Sequence, residues 1–260
     1  MYLSLVLGLI IVARSSRWPL AWIGIEVNLI RFLCLIYRKA NILVYFLAQS
    51  LGTLGILSRL FWGNVFLPIF LFLKLGLFPF YFWIVALILK ERIWSRGILL
   101  TIQKIAPLTL IASCGTPLMI LLINALAGGY LILARRSILL LLLFSGLIQA
   151  TWVIRILPRR FAYTYFAVYV TLIIALLAKS PQSICFFLLF FALAGFPPFS
   201  GFMIKIYAIW LIPLVVVVEL LLLAVISMYC YIRFIFYYYP KKKKPSVSTI
   251  FIILAGAKLS

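Results

Sequence analysis

The chain has 260 residues, of which 67% are hydrophobic and 10% charged, with a mean hydropathy of +1.28. Soluble domains carry roughly a quarter charged residues, so a water-soluble globular fold is excluded; a transmembrane β-barrel, built from alternating segments of about ten residues, is excluded too. The net charge of +21 sets 24 Lys and Arg against only Glu26, Glu91 and Glu219, but it is spread between apolar runs, unlike the single basic face or tail of a nucleic-acid binder.

Taken in chain order, the apolar runs predict an all-α integral membrane protein, because about 20 such residues span a bilayer core. Residues 1–13 lack a basic start and a small-residue cleavage site, and read as a first membrane helix rather than a signal peptide. Further helices are predicted near 18–37, 41–60, 65–80, 81–90, 97–112, 116–127, 137–154, 161–178, 183–196, 200–212, 213–239 and 247–258. Several are too short to cross alone. The pairs 65–80 with 81–90 and 183–196 with 200–212 are each expected to form one broken crossing, which gives about ten or eleven crossings in a single polytopic domain over 1–260. Residues 240–246, containing "PKKKKP", read as a basic linker before the terminal helix.

Most basic residues stand at run ends: Arg14 and Arg17, Arg38 and Lys39, Lys90, Arg92 and Arg96, Arg135 and Arg136, Arg159 and Arg160. They read as headgroup anchors. Because nearly every loop is basic, the positive-inside rule fixes no orientation. Cys34, Cys114, Cys185 and Cys230 are isolated in apolar runs and read as buried, inert thiols. There is no histidine, phosphate-binding glycine loop or nucleophile–base pair. The chain is therefore expected to hold no cofactor or metal of its own.

Two stretches resemble each other. "FLKLGLFPFYFW" (72–83) and "LAGFPPFSGFMIK" (193–205) each combine glycine, a proline turn and a lysine. An opened helix frees backbone groups, which a membrane tolerates only inside protein or beside a water-filled cavity. Paired interruptions in two halves of an apolar chain point to a transporter's ion site; simple proline kinks are the alternative.

Glu26, Lys74, Lys104 and Lys205 lie inside apolar stretches. Each costs roughly 2.5–3.5 kcal/mol at the bilayer centre, and together on the order of 10 kcal/mol, as much as a domain's stability. They must pair or face water. A lysine withdrawn from water holds its proton less tightly and is able to load and release it near neutral pH, and a nearby carboxylate restores the charged form. Snorkelling to the headgroups suits Lys90, Lys179 and Lys258 better than Lys74. Arg31, five residues beyond Glu26, is a candidate to neutralise part of its charge, and Glu219 is expected to make a structural hydrogen bond, with a role in transport as the alternative.

At this point the motifs resemble a known family, subunit 2 of mitochondrial NADH:ubiquinone oxidoreductase, respiratory complex I. "SSRWPLAWIGIEVNLI" looks like its Gly-x-Glu-x-Asn helix, and "VYFLAQSLGT" like its tyrosine-Phe-Leu-x-Gln helix. "LKLGLFPFYFW" is similar to its Lys-Leu-Gly-x-x-Pro-Phe-His-Phe-Trp signature, "IQKIAPL" to Trp-Gln-Lys-x-Ala-Pro, and "GFPPFSGFMIK" to Gly-x-Pro-Pro-x-x-Gly-Phe-x-x-Lys. These motifs cover roughly residues 15 to 205. The chain departs from the pattern at Tyr81 and Gln149, where the family has histidine, at Val85-Ala86 for Pro-Glu, and at the displaced Arg135-Arg136.

The resemblance implies an antiporter-like membrane-arm subunit with inverted repeats and a proton-translocating core over about 18–212. Glu26 would modulate Lys74, Lys104 would be the central relay, and Lys205 the terminal lysine on the second broken helix. Flavin, iron–sulfur clusters and quinone would belong to partner subunits in the mitochondrial inner membrane; other membrane-arm subunits and lipids, cardiolipin among them, would be its partners, and nucleic acid would not. Two rivals stand beside this reading: a subunit of a multi-subunit cation/proton antiporter, and a scaffold of complex I that conducts no protons.

Overall fold

A computed structural model describes residues 2–15, 17–36, 42–58, 63, 66–134, 137–157, 159–179 and 184–238. Among them are thirteen helices and no strand, so the chain is an all-α membrane protein. In order they are α1 (Tyr2–Arg14), α2 (Trp18–Ile36), α3 (Ile42–Leu57), α4 (Leu67–Leu75), α5 (Phe82–Ile88), α6 (Ile93–Leu100) and α7 (Ile102–Cys114). There follow α8 (Leu118–Leu133), α9 (Ile138–Ile156), α10 (Phe161–Ala178), α11 (Ile184–Ala194), α12 (Ser200–Leu211) and α13 (Leu214–Tyr238). The expected linker 240–246, the terminal helix 247–258, and Arg38, Lys39, Arg135, Arg136 and Lys258 lie outside the described residues.

Both expected interruptions are present, and they are built alike. After α4, Gly76 turns left-handed at φ 62, and the Leu77 N–H donates back to the Phe72 carbonyl at 3.0 Å. After α11, Gly195 does the same at φ 85, and the Phe196 N–H donates to the Phe191 carbonyl at 3.2 Å. This is the glycine-capped helix end, repeated once in each half of the chain. A proline then bars the next turn from helix, and α5 and α12 resume the path.

A third interruption was not expected. The run predicted as one helix over 97–112 is divided at Thr101, which has φ −123 and ψ −76. Its Oγ1 donates to the Gly97 carbonyl at 2.6 Å, the side-chain back-bond that bends helices. Pro107, by contrast, sits inside α7 without ending it. Residues 93–114 together still have the length and apolarity of one crossing.

Among the described residues five helical stretches are long and apolar enough to cross a bilayer alone: 18–36, 93–114, 138–156, 161–178 and 216–237. Small residues let neighbours approach, as in membrane bundles generally. A Cβ on Gly8 of α1 would stand 2.8 Å from the Gly24 carbonyl oxygen of α2. The helix α9 is the centre of the bundle, with 83% of its apolar window buried against 28% for α10. It packs on α8, α10 and α13. Around the outside stand exposed apolar side chains such as Trp210, Leu214 and Met203, the surface that a bilayer or neighbouring helices would cover.

Of the run-end cations, Arg14, Arg17, Lys90, Arg92, Arg159, Arg160 and Lys179 are exposed, as headgroup anchors need to be, whereas Arg96 is half-buried. Arg159 Nη1 also donates to the Leu211 carbonyl at 3.0 Å, at the C-terminal end of α12, where positive charge is favoured. The four cysteines are free, but only Cys230 is buried, while Cys34 and Cys185 are exposed. The expectation that all four are buried is thus corrected. An apolar run does not say which of its faces turns outward. Glu219 is corrected as well: its Oε1 is buried without a hydrogen-bond partner among the described residues.

Candidate functional site

Lys74 lies in the last turn of α4, 4% exposed, one residue short of the helix end. Its amine donates to the backbone oxygen and to Oε1 of Gln49, both at 3.3 Å, and Gln49 Nε2 donates back to the Lys74 carbonyl at 3.3 Å. This reciprocal pair satisfies a carbonyl that the broken helix leaves free and holds the ammonium among neutral acceptors. The neighbouring Leu73 carbonyl accepts from Trp83 Nε1 at 2.9 Å, so the far side of the break closes over the near side. Gly52 of α3 provides the passage for the lysine stem: a Cβ there would meet Lys74 Cγ at 2.5 Å. Glu26, half-buried on α2, is close enough for its charge to act on Lys74. No ion pair joins them, and Arg31 is exposed and paired with neither.

From Lys74 a row of polar side chains runs towards Lys104. Tyr45, one turn before Gln49 on α3, donates to Gln103 Oε1 at 3.4 Å, and Gln103 Nε2 donates to Asn28 Oδ1 of α2 at 3.3 Å. Gln103 adjoins Lys104 in α7. Lys104 is 5% exposed and lies three residues past the Thr101 interruption. Pro107 has no N–H to offer the Gln103 carbonyl, so the ladder is open at this turn. No hydrogen bond joins the Lys104 amine to another described residue. Beside it stands Gly146 of α9, where a Cβ would lie 3.5 Å from Lys104 Nζ and 2.9 Å from the Tyr169 hydroxyl.

Lys205, on α12, is 8% exposed, and its amine reaches back across the second break to the Ala194 carbonyl at 2.7 Å. It therefore caps the C-terminal end of α11, the negative end of the helix dipole. Gly195 gives it room, because a Cβ there would come within 2.9 Å of Nζ. Lys205 also lines a small cavity of about 20 Å³ together with Gln149, Tyr165 and Tyr169. That is room for a single water molecule. Tyr165 donates to Gln149 Oε1 at 2.5 Å.

The three lysines are thus buried, and each adjoins a helix interruption. Among the described residues their hydrogen-bond partners are neutral, and none of the three forms an ion pair with a carboxylate. Primary amines so placed are suited to holding and passing protons. Among the described residues no cluster of His, Cys, Asp and Glu is able to hold a metal ion. Sequence reasoning did not single out Asn124, Tyr165 or Tyr169; it met Gln49 only within a motif and noted Gln149 only as a departure. The available signal was the spacing of Tyr165 and Tyr169 by one helical turn in an apolar run, which puts both hydroxyls on one face. Tyr81, in place of a family histidine, is half-buried, with its ring edge-on to Phe144 at 5.6 Å.

No family model matches the chain. Individual proteins do. It is 28% identical to the NADH-ubiquinone oxidoreductase chain 2 of Artemia franciscana, over 91% of this chain and 86% of that protein. Identity to the protein of the same name from Dugong dugon is 26%, over 90% of this chain and 83% of that one. For Hylobates lar it is 22%, with the same coverage of 90% and 83%. Low in identity but the same in name and extent, these matches agree with the motifs, and the chain is a relative of the NADH-ubiquinone oxidoreductase chain 2 proteins along nine-tenths of its length.

Proposed function

We propose that the chain is a membrane-arm subunit of an NADH:ubiquinone oxidoreductase in the mitochondrial inner membrane, and that it takes part in proton translocation coupled to electron transfer. The observation that carries this reading is the burial of Lys74, Lys104 and Lys205 beside three helix interruptions, with no carboxylate among the described residues bound to any of them. A structural cation in a membrane normally pairs with a carboxylate or snorkels outward; Lys74 and Lys205 are instead held inside by neutral oxygens. Lys104, whose amine has no hydrogen-bonded partner among the described residues, is the central relay. Lys74 is the entry-side site, biased by the Glu26 charge, and Lys205 the terminal site. Electron carriers and quinone belong to partner subunits, so this chain supplies the ion path and not the redox chemistry.

The test is proton translocation by the assembled complex in liposomes, measured as protons moved per electron. Lys104→Met keeps most of the stem and removes the titrating amine. Lys104→Arg keeps the charge, but guanidinium does not release its proton in this range. Both variants are expected to lose pumping while the complex still assembles. A full proton-to-electron ratio with Lys104→Arg would leave Lys104 as an anchor and favour the scaffold reading. Purification of the chain without flavin or iron–sulfur subunits would favour the antiporter reading.

A further inference from the structure

We infer that the Tyr169 hydroxyl is the proton-transfer group linking Lys104 to Lys205; this rests on the reading of those lysines as proton carriers. Tyr169 lies on α10, 6% exposed, and its hydroxyl is buried without a hydrogen-bond partner among the described residues. An unpaired buried hydroxyl costs about 1–3 kcal/mol, and phenylalanine would fill the same space without that cost. The hydroxyl has two neighbours of interest. On one side, a Cβ on Gly146 would lie 2.9 Å from it and 3.5 Å from Lys104 Nζ, so the two polar atoms stand over the same face of Gly146. In the relay one water molecule joins them by hydrogen-bonding to both. On the other side, Tyr169 lines the cavity of about 20 Å³ that Lys205 and Gln149 share.

The amide of Gln149 does not titrate, and its oxygen already accepts from Tyr165. A phenol both donates and accepts, so it passes a proton without first losing its own. In the step, the Lys104 ammonium gives a proton to the bridging water, and the water gives one to a lone pair of the Tyr169 oxygen. The phenolic proton leaves towards the cavity, and the neutral Lys205 amine takes it up. One N–H bond breaks, one forms, the phenol ends with a single O–H as it began, and no electron moves.

The experiment is made on the assembled complex in liposomes, with Tyr169→Phe, Gly146→Ala, Lys104→Met and Lys205→Met. Removing the phenolic oxygen should lower coupled turnover by about tenfold or more, since one positioned proton-transfer group contributes roughly 10²–10⁴. It should also enlarge the slowing of turnover in D₂O, a response that a packing role would not give. Gly146→Ala puts a methyl group against both polar atoms and should reproduce the loss; it carries the same test should Tyr169→Phe not assemble. Normal turnover and an unchanged D₂O effect in Tyr169→Phe, beside a Lys104→Met complex that no longer pumps, would overturn the link and leave the lysine reading standing. Normal pumping in both lysine variants would overturn the lysine reading, and the link with it.

Discussion

Lys74 keeps its place because the residue opposite has no side chain. Gly52→Ala would put a methyl group 2.5 Å from Lys74 Cγ, and overpacking of this kind costs about 1–3 kcal/mol. The stem would have to swing off Gln49, taking the amine from both of its acceptors. The expected result is a complex that assembles, melts at a lower temperature and moves fewer protons per electron; thermal denaturation and the proton ratio on one preparation check it. The three lysines were legible in the sequence because a cation in an apolar run is costly wherever it is seen. Tyr165 and Tyr169 were not. Tyrosine is ordinary in membrane helices and at their interfaces, and only the packing shows that one of these hydroxyls has a partner and the other none among the described residues.

Helices carry the same contrast. The interruptions at Gly76 and Gly195 were readable from glycine and proline, which dictate the turn by their own backbone preferences. The interruption at Thr101 was not, because threonine ends a helix only when its hydroxyl turns back to the preceding carbonyls, as here to Gly97. Asn124 of α8 is the clamp on the first break. Its Oδ1 accepts from the Phe78 N–H at 2.9 Å, while Nδ2 donates to the Leu147 carbonyl at 3.0 Å and Thr151 Oγ1 at 2.9 Å. One fully buried side chain therefore ties the loop after α4 to α9. Asn124→Leu leaves the Phe78 N–H without its acceptor, at about 1–3 kcal/mol. We expect a lowered melting temperature and faster proteolysis between Gly76 and Tyr81, measured by limited digestion of the detergent-solubilised complex.

At the scale of the molecule, fold class was legible from hydropathy, and the order of packing was not. The central α9 and the peripheral α10 have nearly the same mean hydropathy, 1.9 and 2.0, yet differ threefold in burial. Lipid tails are as apolar as leucine, so hydropathy does not separate a helix that faces lipid from one that faces protein. The outer surface leads to a further prediction. Trp94, Tyr130, Trp210 and Leu214 are each at least 75% exposed, more apolar area than a lone chain is expected to keep dispersed. Expressed without other subunits, the chain should aggregate or be degraded; a monodisperse, ion-conducting monomer by size exclusion would refute this.

The enclosed position of α9 also bears on how the chain is made. Helices leave the ribosome in order, and α13, which closes over α8 and α9, is the last of the described helices to emerge. Until then the polar side chains of α9, among them Ser145, Gln149 and Thr151, lack part of their protein surroundings and must meet lipid or an insertion factor. A nascent chain arrested after residue 212 should therefore crosslink to the insertion machinery through α9, and release should follow only once residues 214–238 are in the membrane. The helix at the heart of the finished bundle is, during synthesis, the one most dependent on temporary shelter.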